Sequence, residues 1–498
     1  MKILFAATEA VPFAKTGGLA DVCGALPVEL AALGHNVALI MPAFRQVHRA
    51  GRPIEPLGIS VEVPIGAKTV RGELLRGRLD ADVPVYFVKQ DEYYDRDGLY
   101  GDPSGDYKDN CERFVFYGRA VMDAIRLLDL QVDVLHAHDW MAALPVAYLA
   151  NEYRGVPGYE QIASLFTVHN LAYQGTFWHW DMLLTGLDWR LFNWRQMEFY
   201  GNLNLMKTGL TFADMVSTVS PRYAEEIQSA PLGCGLEGVL QYRRKSLRGI
   251  VNGVDYTTWN PVTDPHLPVR YGVDDFAAGK AACKRALQEE LGLPPRADVP
   301  LLGFVGRLAD QKGLDLIETV IGHWNDTDEV QWVFLGAGDM KYHRLLENIA
   351  QRHPQRVAAR LMFSDPLAHR IEAGADMFLM PSRYEPCGLE QLYSLKYGAV
   401  PVVRATGGLA DTIADTNDDT LADGTATGFS FADYTGPAFS QTLRRALATF
   451  RERPDDWRRI VANGMRQDWS WSRSARQYVD LYRQTIAAHR QSPTPATR

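Results

Sequence analysis

The chain has 498 residues, which is too many for one hydrophobic core, so two or three domains are expected. Hydrophobic residues make up 46% of the chain and charged residues 22%, which is average for a globular enzyme. The net charge of −8 argues against a general nucleic-acid binder or a protein that binds anionic membranes, because both need a basic surface.

The amino-terminal stretch MKILFAATEA contains a very short apolar run that ends before Glu9. It is too short for a signal peptide or a membrane span, and we interpret it as a first buried strand. The five cysteines form no C-x-x-C pair, which fits neither a disulfide framework nor a zinc cluster. We therefore expect a cytoplasmic protein.

Short apolar runs alternate with amphipathic stretches along the whole chain, the pattern of parallel strands joined by helices. In the first half, strands are predicted in KILFAA, NVALIM, VPVYFV, VDVLHA, SLFTV and MVSTV, and helices over residues 112–128 and 203–212. In the second half, strands are predicted in LLGFVG, VQWVFLG, ADMFLM and AVPVVR, and helices over residues 314–321, 341–353 and 389–397. The sequence thus predicts an α/β protein with two doubly wound units.

The boundary between the two units is predicted at Leu247, where apolar periodicity stops and Asn, Gly, Asp and Pro accumulate. The predicted domains are residues 1–246 and 247–474, followed by a helix over 475–490 that returns to the first domain and a disordered tail over 491–498. The polar run over residues 90–110 is too long for a simple connection and is interpreted as a functional or mobile loop.

The hexapeptide TGGLAD occurs twice, over residues 16–21 and 406–411, each time between a predicted strand and a predicted helix. Paired glycines let the backbone approach a phosphate, and the first turn of a helix favours an anion. Lys15 adds a positive charge beside the first copy. A plain tight turn is the alternative for either copy alone, but the repeated context favours phosphate contact.

Two further segments carry charged residues directly after predicted strands. GRLADQKGLD places Arg307 and Lys312 after LLGFV, and we interpret the two cations as a diphosphate clamp rather than ordinary surface charge. PSRYEPCGLEQLYSLKYG places Glu385 after MFLM, where a carboxylate can accept hydrogen bonds from sugar hydroxyls, with helix capping as the alternative. Cys387 is predicted to be a packed thiol and not a nucleophile.

Seven segments follow one another along the chain in this order: KTGGLADV, HAHDWMA, TVHNLAYQG, NGVD, GRLADQKGLDL, PSRYEPCGLEQLYSLKYG and TGGLADT. Together they resemble the bacterial glycogen synthase and plant starch synthase family, over about residues 2–482. The resemblance implies a retaining glycosyltransferase of the GT-B type, with two Rossmann-like domains facing across a deep cleft. It implies transfer of glucose from ADP-glucose to the non-reducing end of an α-1,4-glucan such as glycogen, without a cofactor.

The resemblance also assigns roles to the residues that match the family's motifs. The residues implied to be catalytic are Lys15, Asp139, His169, Arg307, Lys312 and Glu385. The residues implied to bind the donor are Lys15, Gly17, Gly18, Asn252, Arg307, Lys312, Cys387, Gly388, Leu389, Thr406, Gly407 and Gly408. For the acceptor we predict stacking on sugar rings by Tyr100, Trp140 and Tyr173, with core packing as the alternative for each.

The departing ADP anion requires positive charge, which some glycosyltransferases supply with a metal bound to an Asp-x-Asp string. Three such strings lie in polar connections and are interpreted as solvated turns: Asp80 with Asp82, Asp95 with Asp97, and Asp326 with Asp328. His136 and His138 alternate on a strand, but no further Cys or His completes a metal site there. Positive side chains are therefore expected to stabilise the leaving group.

The family is thought to use front-face attack, so Glu385 is interpreted as a positioning group and not a nucleophile. A synthase of the same fold that uses UDP-glucose remains an alternative, as does a catalytically silent glucan-binding relative. The silent relative should have lost some of Lys15, Arg307, Lys312 and Glu385, and all four are present. A glucan phosphorylase would need pyridoxal phosphate and usually a longer chain. No nucleic-acid or membrane partner is expected.

Overall fold

The computed structural model describes residues 1–327 and 329–491 of the chain. The chain forms two compact units, and each has its own sheet. Unit 1 contains Met1–Gly253 and the segment from Trp471 onward, and unit 2 contains Val254–Ser470. The prediction of an α/β protein with two doubly wound units is confirmed.

Unit 1 is built on nine strands of one sheet, with two small additional sheets. The strands in chain order are β1 (Lys2–Ala6), β2 (Asn36–Pro42), β3 (Glu55–Ile65), β4 (Lys68–Arg78), β5 (Pro84–Lys89), β6 (Gly101–Asp102), β7 (Gly105–Asp106), β8 (Val134–His138), β9 (Ala163–Val168), β10 (Thr176–Phe177), β11 (Glu198–Phe199), β12 (Asn202–Asn204), β13 (Met215–Thr218) and β14 (Leu247–Gly249). The main sheet has the order β14-β13-β9-β8-β1-β2-β5-β4-β3. It is parallel except where β4 pairs with β3 and β5.

The helices of unit 1 pack against this sheet, and its central strands β8 and β9 are buried along their length, as is β1 after Lys2. The helices before Val254 are α1 (Gly18–Ala32), α2 (Arg45–Arg49), α3 (Asp91–Tyr94), α4 (Asn110–Leu127), α5 (Ala143–Tyr148), α6 (Met182–Thr185), α7 (Leu205–Phe212), α8 (Pro221–Glu226) and α9 (Glu237–Tyr242). The six strands predicted in this half all occur, and the antiparallel hairpin β3–β4 was not predicted.

The polar run over residues 90–110 is held down by a buried arginine. It contains α3 and the two-residue hairpin β6–β7. The fully buried Arg113 donates from Nε to the carbonyl oxygen of Tyr93 at 2.8 Å and from Nη2 to that of Leu99 at 2.9 Å. Arg113 therefore anchors this segment to α4, because it donates hydrogen bonds to two backbone carbonyl groups of the segment.

Unit 2 contains one parallel sheet in the order β17-β16-β15-β18-β19-β20. Its strands are β15 (Leu301–Val305), β16 (Gln331–Leu335), β17 (Val357–Arg360), β18 (Met377–Met380), β19 (Val400–Arg404) and β20 (Phe429–Phe431). Its helices are α10 (Phe276–Leu291), α11 (Leu314–Thr327), α12 (Met340–Arg352), α13 (Asp365–Gly374), α14 (Glu390–Tyr397), α15 (Gly407–Thr412), α16 (Asp418–Ala422), α17 (Gly436–Glu452) and α18 (Pro454–Arg466). This strand order, 3-2-1-4-5-6, is that of the Rossmann fold.

The boundaries of the two units differ from the predicted ones by a few residues. Unit 2 begins at Val254, seven residues after the predicted Leu247, because β14 pairs with β13 and so extends the sheet of unit 1. The last helix, α19 (Trp471–Gln491), belongs to unit 1 and packs there against α1 and β9. The predicted tail over residues 491–498 lies outside the described residues except for Gln491, which ends α19. No helix among the described residues is both long and apolar enough to cross a membrane.

A buried histidine near the end of α19 attaches that helix to unit 1. His489 Nδ1 lies 3.0 Å from Asp214 Oδ2, and Nε2 lies 2.9 Å from the carbonyl oxygen of Glu160. The hydrogen bond to Asp214 outweighs the opposing effect of burial and the nearby Arg154, and it raises the pKa of His489. The stabilisation from protonated His489 is complete below its unfolded pKa of about 6.5 and is lost as pH rises through the folded pKa.

We expect His489→Gln to destabilise the protein more at about pH 5.5 than at about pH 8.5, since a hydrogen bond between charged groups contributes about 1.5–3 kcal/mol. Urea unfolding of the variant and the parent at both pH values measures this difference. His48→Gln, at an exposed position of α2, serves as the control. An equal loss at both pH values would show that His489 acts only through packing.

Candidate active site

The three charged residues of unit 2 that are predicted to be catalytic lie where the strand order of its sheet reverses. The chain passes from β15 outward to β16 and from β18 outward to β19, while β15 and β18 are neighbours. In open α/β sheets, ligands bind beyond the carboxyl ends of the strands at this point. Arg307 and Lys312 follow β15, and Glu385 follows β18, so all three side chains extend from this edge.

Lys312 and Glu385 form a buried ion pair. Lys312 Nζ lies 2.7 Å from Glu385 Oε2, and the two side chains are only 15% and 7% exposed. Ser382 Oγ donates to the same carboxylate oxygen at 3.1 Å. Burial alone would lower the pKa of Lys312, but the negative charges of Glu385 and Glu390 outweigh it and raise that pKa. Lys312 is therefore a fixed positive charge throughout the physiological pH range.

The partners of Glu385 exclude the alternative that it only caps a helix. Among the described residues, the Glu385 carboxylate accepts hydrogen bonds from Lys312 and Ser382 and not from the backbone of α14. The carboxylate at the start of α14 is that of Glu390, which accepts from the backbone N–H of the N-cap residue Leu389 at 3.3 Å. Arg307 is exposed, and its Nη2 donates to Gln311 Oε1 at 3.2 Å.

The second TGGLAD copy is packed against the turn that carries Glu385. The N–H of Gly408 donates to the carbonyl oxygen of Glu385 at 3.1 Å. A Cβ on Gly407 would lie 1.9 Å from that same oxygen, and a Cβ on Gly408 would lie 2.0 Å from the carbonyl oxygen of Cys387. Gly407 also has a φ of +46°. Two backbones touch here, so these glycines are required by packing whatever they contribute to phosphate binding.

The first TGGLAD copy also follows its strand, β1, at a point of strand reversal, since β1 and β8 are neighbours in unit 1. A buried carboxylate, Glu9, holds this loop from one side. Its oxygens accept from the backbone N–H groups of Thr16 and Gly17 and from the Thr16 hydroxyl. Sequence reasoning missed Glu9, because a lone glutamate three residues after a strand has no pattern of its own.

The glycines of the first copy have open space around them. A Cβ on Gly17 or Gly18 would meet nothing within 4 Å, and neither residue has a positive φ. Lys15 is half-exposed and its Nζ lies 2.7 Å from Asp21 Oδ1. The glycines of the hexapeptide are therefore tightly packed in unit 2. In unit 1 the space beside them is open, so a phosphate group has room to approach the backbone.

Asp139 and His169 follow β8 and β9, the strands beside β1, and they contact each other. Asp139 Oδ1 accepts from the backbone N–H of His169 at 2.7 Å, and Asp139 itself has a φ of +55°. Burial raises the pKa of Asp139 to about 7 against the opposing backbone hydrogen bonds, with a further contribution from Glu9. Burial lowers the pKa of His169 to about 3, so its imidazole is neutral and hydrogen-bonds to His138 at 3.0 Å. A strained, buried carboxylate of this kind is typical of functional sites.

The remaining predicted residues occupy varied positions. Tyr100 packs against Phe44 and Trp140, with its hydroxyl bonded to Thr8 and Glu9. Trp140 packs closely over Gly175, whereas Tyr173 is exposed. Six residues of the predicted donor-binding set are buried, namely Asn252, Cys387, Gly388, Thr406, Gly407 and Gly408. Leu389 immediately precedes α14. The side-chain oxygen of Asn252 is buried without a hydrogen-bond partner among the described residues.

Two of the Asp-x-Asp strings form ion pairs at the surface. Asp80 and Asp82 pair with Arg52 and Arg78, respectively. Asp95 and Asp97 both pair with Arg45. The side chains of Asp326 and Asp328 lie outside what the structure describes. A feature that the sequence did not single out is a set of exposed tryptophans in unit 1. The rings of Trp178, Trp180 and Trp189 lie beside one another, and Trp194 is exposed as well.

Residues 2–242 match the family described as the starch synthase catalytic domain, and residues 291–461 match the family described as glycosyl transferases group 1. A glycogen synthase of Rhodopirellula baltica is 49% identical over 98% of this chain and 99% of its own. A glycogen synthase of Syntrophotalea carbinolica is 47% identical over 98% of this chain and 100% of its own.

Among solved structures, the catalytic domain of starch synthase IV from Arabidopsis thaliana, bound to ADP and acarbose, is similar with a TM-score of 0.88. It is 32% identical in sequence, and the match covers 98% of this chain and 99% of that one.

The contrast between the two hexapeptides gives a matched pair of substitutions at their second glycine. We expect Gly408→Ala to lower the thermal midpoint by several degrees, because the new methyl group meets a backbone oxygen and overpacking costs about 1–3 kcal/mol. Gly18→Ala should leave the midpoint unchanged or slightly higher, since alanine favours the start of α1 and fills open space. Equal midpoints for the two variants would contradict the packing difference.

Proposed function

The chain belongs to the glycogen synthase and starch synthase family of glycosyltransferases, and we propose that it transfers glucose from ADP-glucose to the non-reducing end of an α-1,4-glucan with retention of configuration. The observation that supports the proposal most is the buried Lys312–Glu385 pair beside Arg307, at the strand reversal of a Rossmann-like sheet. ADP is proposed as the nucleotide because the Arabidopsis relative was solved with ADP bound.

Arg307 and Lys312 are proposed to bind the donor's diphosphate and to stabilise it as it leaves. The guanidinium of Arg307 can donate two parallel hydrogen bonds to phosphate oxygens. The ammonium of Lys312 has three N–H donors, of which Glu385 uses one, so the others can reach a phosphate while the pair stays intact. Charges that are already in place need no reorganisation when the glucosyl bond breaks.

Glu385 is proposed to position the glucose and not to attack it. Among the described residues, the hydrogen bonds to its carboxylate use Oε2, which leaves Oε1 to accept from a sugar hydroxyl. Pairing with Lys312 keeps the carboxylate oriented but also weakens it as a nucleophile. The proposed reaction is front-face attack, in which the departing phosphate accepts the proton of the acceptor hydroxyl.

Residues of unit 1 are also proposed to take part in donor binding. Lys15 and the open glycines after it would contact phosphate or glucose oxygens through a positive charge and backbone N–H groups. His169 and Asp139 would hydrogen-bond to glucose hydroxyls, His169 as a neutral imidazole. A cytoplasmic location is part of the proposal, because no disulfide joins cysteines of the described residues.

Donor choice and the cationic pair can be tested in one assay with glycogen as acceptor, in which ADP-glucose and UDP-glucose compete and release of ADP and UDP is followed. We expect ADP release to dominate. In Arg307→Ala the rate should fall about tenfold to a hundredfold, because a charged hydrogen bond contributes about 1.5–3 kcal/mol to the transition state.

The matched control is Arg285→Ala, since Arg285 is an exposed arginine of α10 whose ion pair is with Glu289, one helical turn away. It should retain full activity. Dominant UDP release would contradict the proposed donor, and full activity of Arg307→Ala would contradict the proposed clamp. Release of neither nucleotide by the folded parent chain would favour the silent glucan-binding alternative.

A further inference from the structure

A second cluster of polar side chains lies in unit 2, built from the segment that precedes α10 and the first turns of α13. His266, Asp365 and His369 each offer one ligand atom, and these atoms lie within 4.8 Å of one another. His266 is half-buried, Asp365 is exposed, and His369 is buried. None of these three residues is among those proposed to act in glucose transfer.

His369 is fixed in orientation by its neighbours. Its ring stacks on Trp259 with centroids 3.8 Å apart and an 8° angle between the planes, and Trp259 stacks in turn on Tyr393. Nδ1 lies 2.7 Å from Oδ2 of Asp264, whose side chain is fully buried. The same oxygen accepts from the hydroxyl of Tyr397. The imidazole therefore has one placement, and its other nitrogen points in a fixed direction.

The other nitrogen, Nε2, is buried and has no hydrogen-bond partner among the described residues. Because a carboxylate accepts at Nδ1, the proton of a neutral imidazole is placed there, and Nε2 presents a lone pair. Oδ2 of Asp365 lies 3.8 Å from this nitrogen. A lone pair facing a carboxylate is repulsive unless a cation lies between them, and that cation is either a proton on Nε2 or a metal ion.

We propose that His266, Asp365 and His369 bind a divalent transition-metal ion of the zinc type. A carboxylate on the far nitrogen of a histidine, as Asp264 is on His369, is the usual outer partner of a metal-bound imidazole. Two imidazoles and one carboxylate favour Zn²⁺, Co²⁺ or Ni²⁺ over Mg²⁺ and Ca²⁺, which prefer oxygen ligands only. Asp264 and Asp365 together balance the charge of a divalent ion.

The ligand atoms must move closer together to bind the ion, because tetrahedral zinc with bonds of about 2.0–2.1 Å needs ligands about 3.3 Å apart. The side chains able to move are the exposed Asp365 and the half-buried His266, while His369 stays fixed. The bound ion would tie the segment of His266 to helix α13, with a water molecule at the fourth position. Metal binding should therefore raise the thermal stability of the chain.

The test is titration of Zn²⁺ into the chelator-treated full chain by calorimetry, with Co²⁺ absorption as a second measurement of the ligand set. We expect one ion per chain, a visible Co²⁺ spectrum typical of tetrahedral coordination, and a thermal midpoint that rises with Zn²⁺. His266→Ala and Asp365→Asn should each weaken Zn²⁺ binding at least about tenfold and remove the midpoint rise, because each deletes one of three ligands.

The control variants are His48→Ala and Asp274→Asn, at exposed positions outside the cluster, and they should bind Zn²⁺ as the parent chain does. Thermal midpoints measured without metal show that each variant is folded. The proposal is overturned if the parent chain binds no Zn²⁺, or if His266→Ala and Asp365→Asn bind it as tightly as the parent. It is also overturned if ¹⁵N NMR in the presence of Zn²⁺ shows both nitrogens of His369 protonated. None of these measurements depends on glucose transfer.

Discussion

The carboxyl ends of three neighbouring strands in unit 2 are joined by contacts through one short turn. Glu385 in this turn, after β18, pairs with Lys312, which follows β15. Its carbonyl oxygen accepts from Gly408, which follows β19. A lysine buried to this extent remains charged only if an anion compensates its lost hydration, and the turn supplies that anion in a fixed place. The proposed phosphate site depends on this arrangement, because Lys312 can present its remaining N–H groups only from where Glu385 holds it.

The two copies of the hexapeptide TGGLAD, one in each unit, have different surroundings and serve different purposes. In unit 2 the glycines are needed so that two backbones can touch, and alanine would collide with a carbonyl oxygen. In unit 1 the backbone of the same sequence is held from one side by Glu9, while the space on the Cβ side of Gly17 and Gly18 stays open. Identical sequence thus gives a packing element in one unit and an accessible loop in the other, and only the surroundings decide which.

Much of the fold could be predicted because buried parallel strands are rich in apolar residues, as in β18 and in β1 after Lys2. The hairpin β3–β4 was missed since one side of it is exposed and Pro56, Gly58 and Pro64 interrupt its alternation. Arg307, Lys312 and Glu385 could each be placed after a strand. The 73-residue separation between Lys312 and Glu385 could not be bridged without knowing that β15 and β18 are neighbours. Glu9 and the His369 cluster could not be recognised from the sequence, because Tyr100 beside Glu9 and Asp264 beside His369 come from distant segments.

The proposed site depends on Arg307 and Lys312 binding the donor's diphosphate, and with it the second phosphate of the nucleotide. Calorimetric binding of ADP and of AMP to the parent chain and to Arg307→Ala tests it most directly, because AMP lacks that phosphate. We expect Arg307→Ala to weaken ADP binding about tenfold to a hundredfold and to leave AMP binding nearly unchanged. If ADP and AMP lose affinity equally, or if ADP binding is unaffected, the two cations do not form a diphosphate clamp.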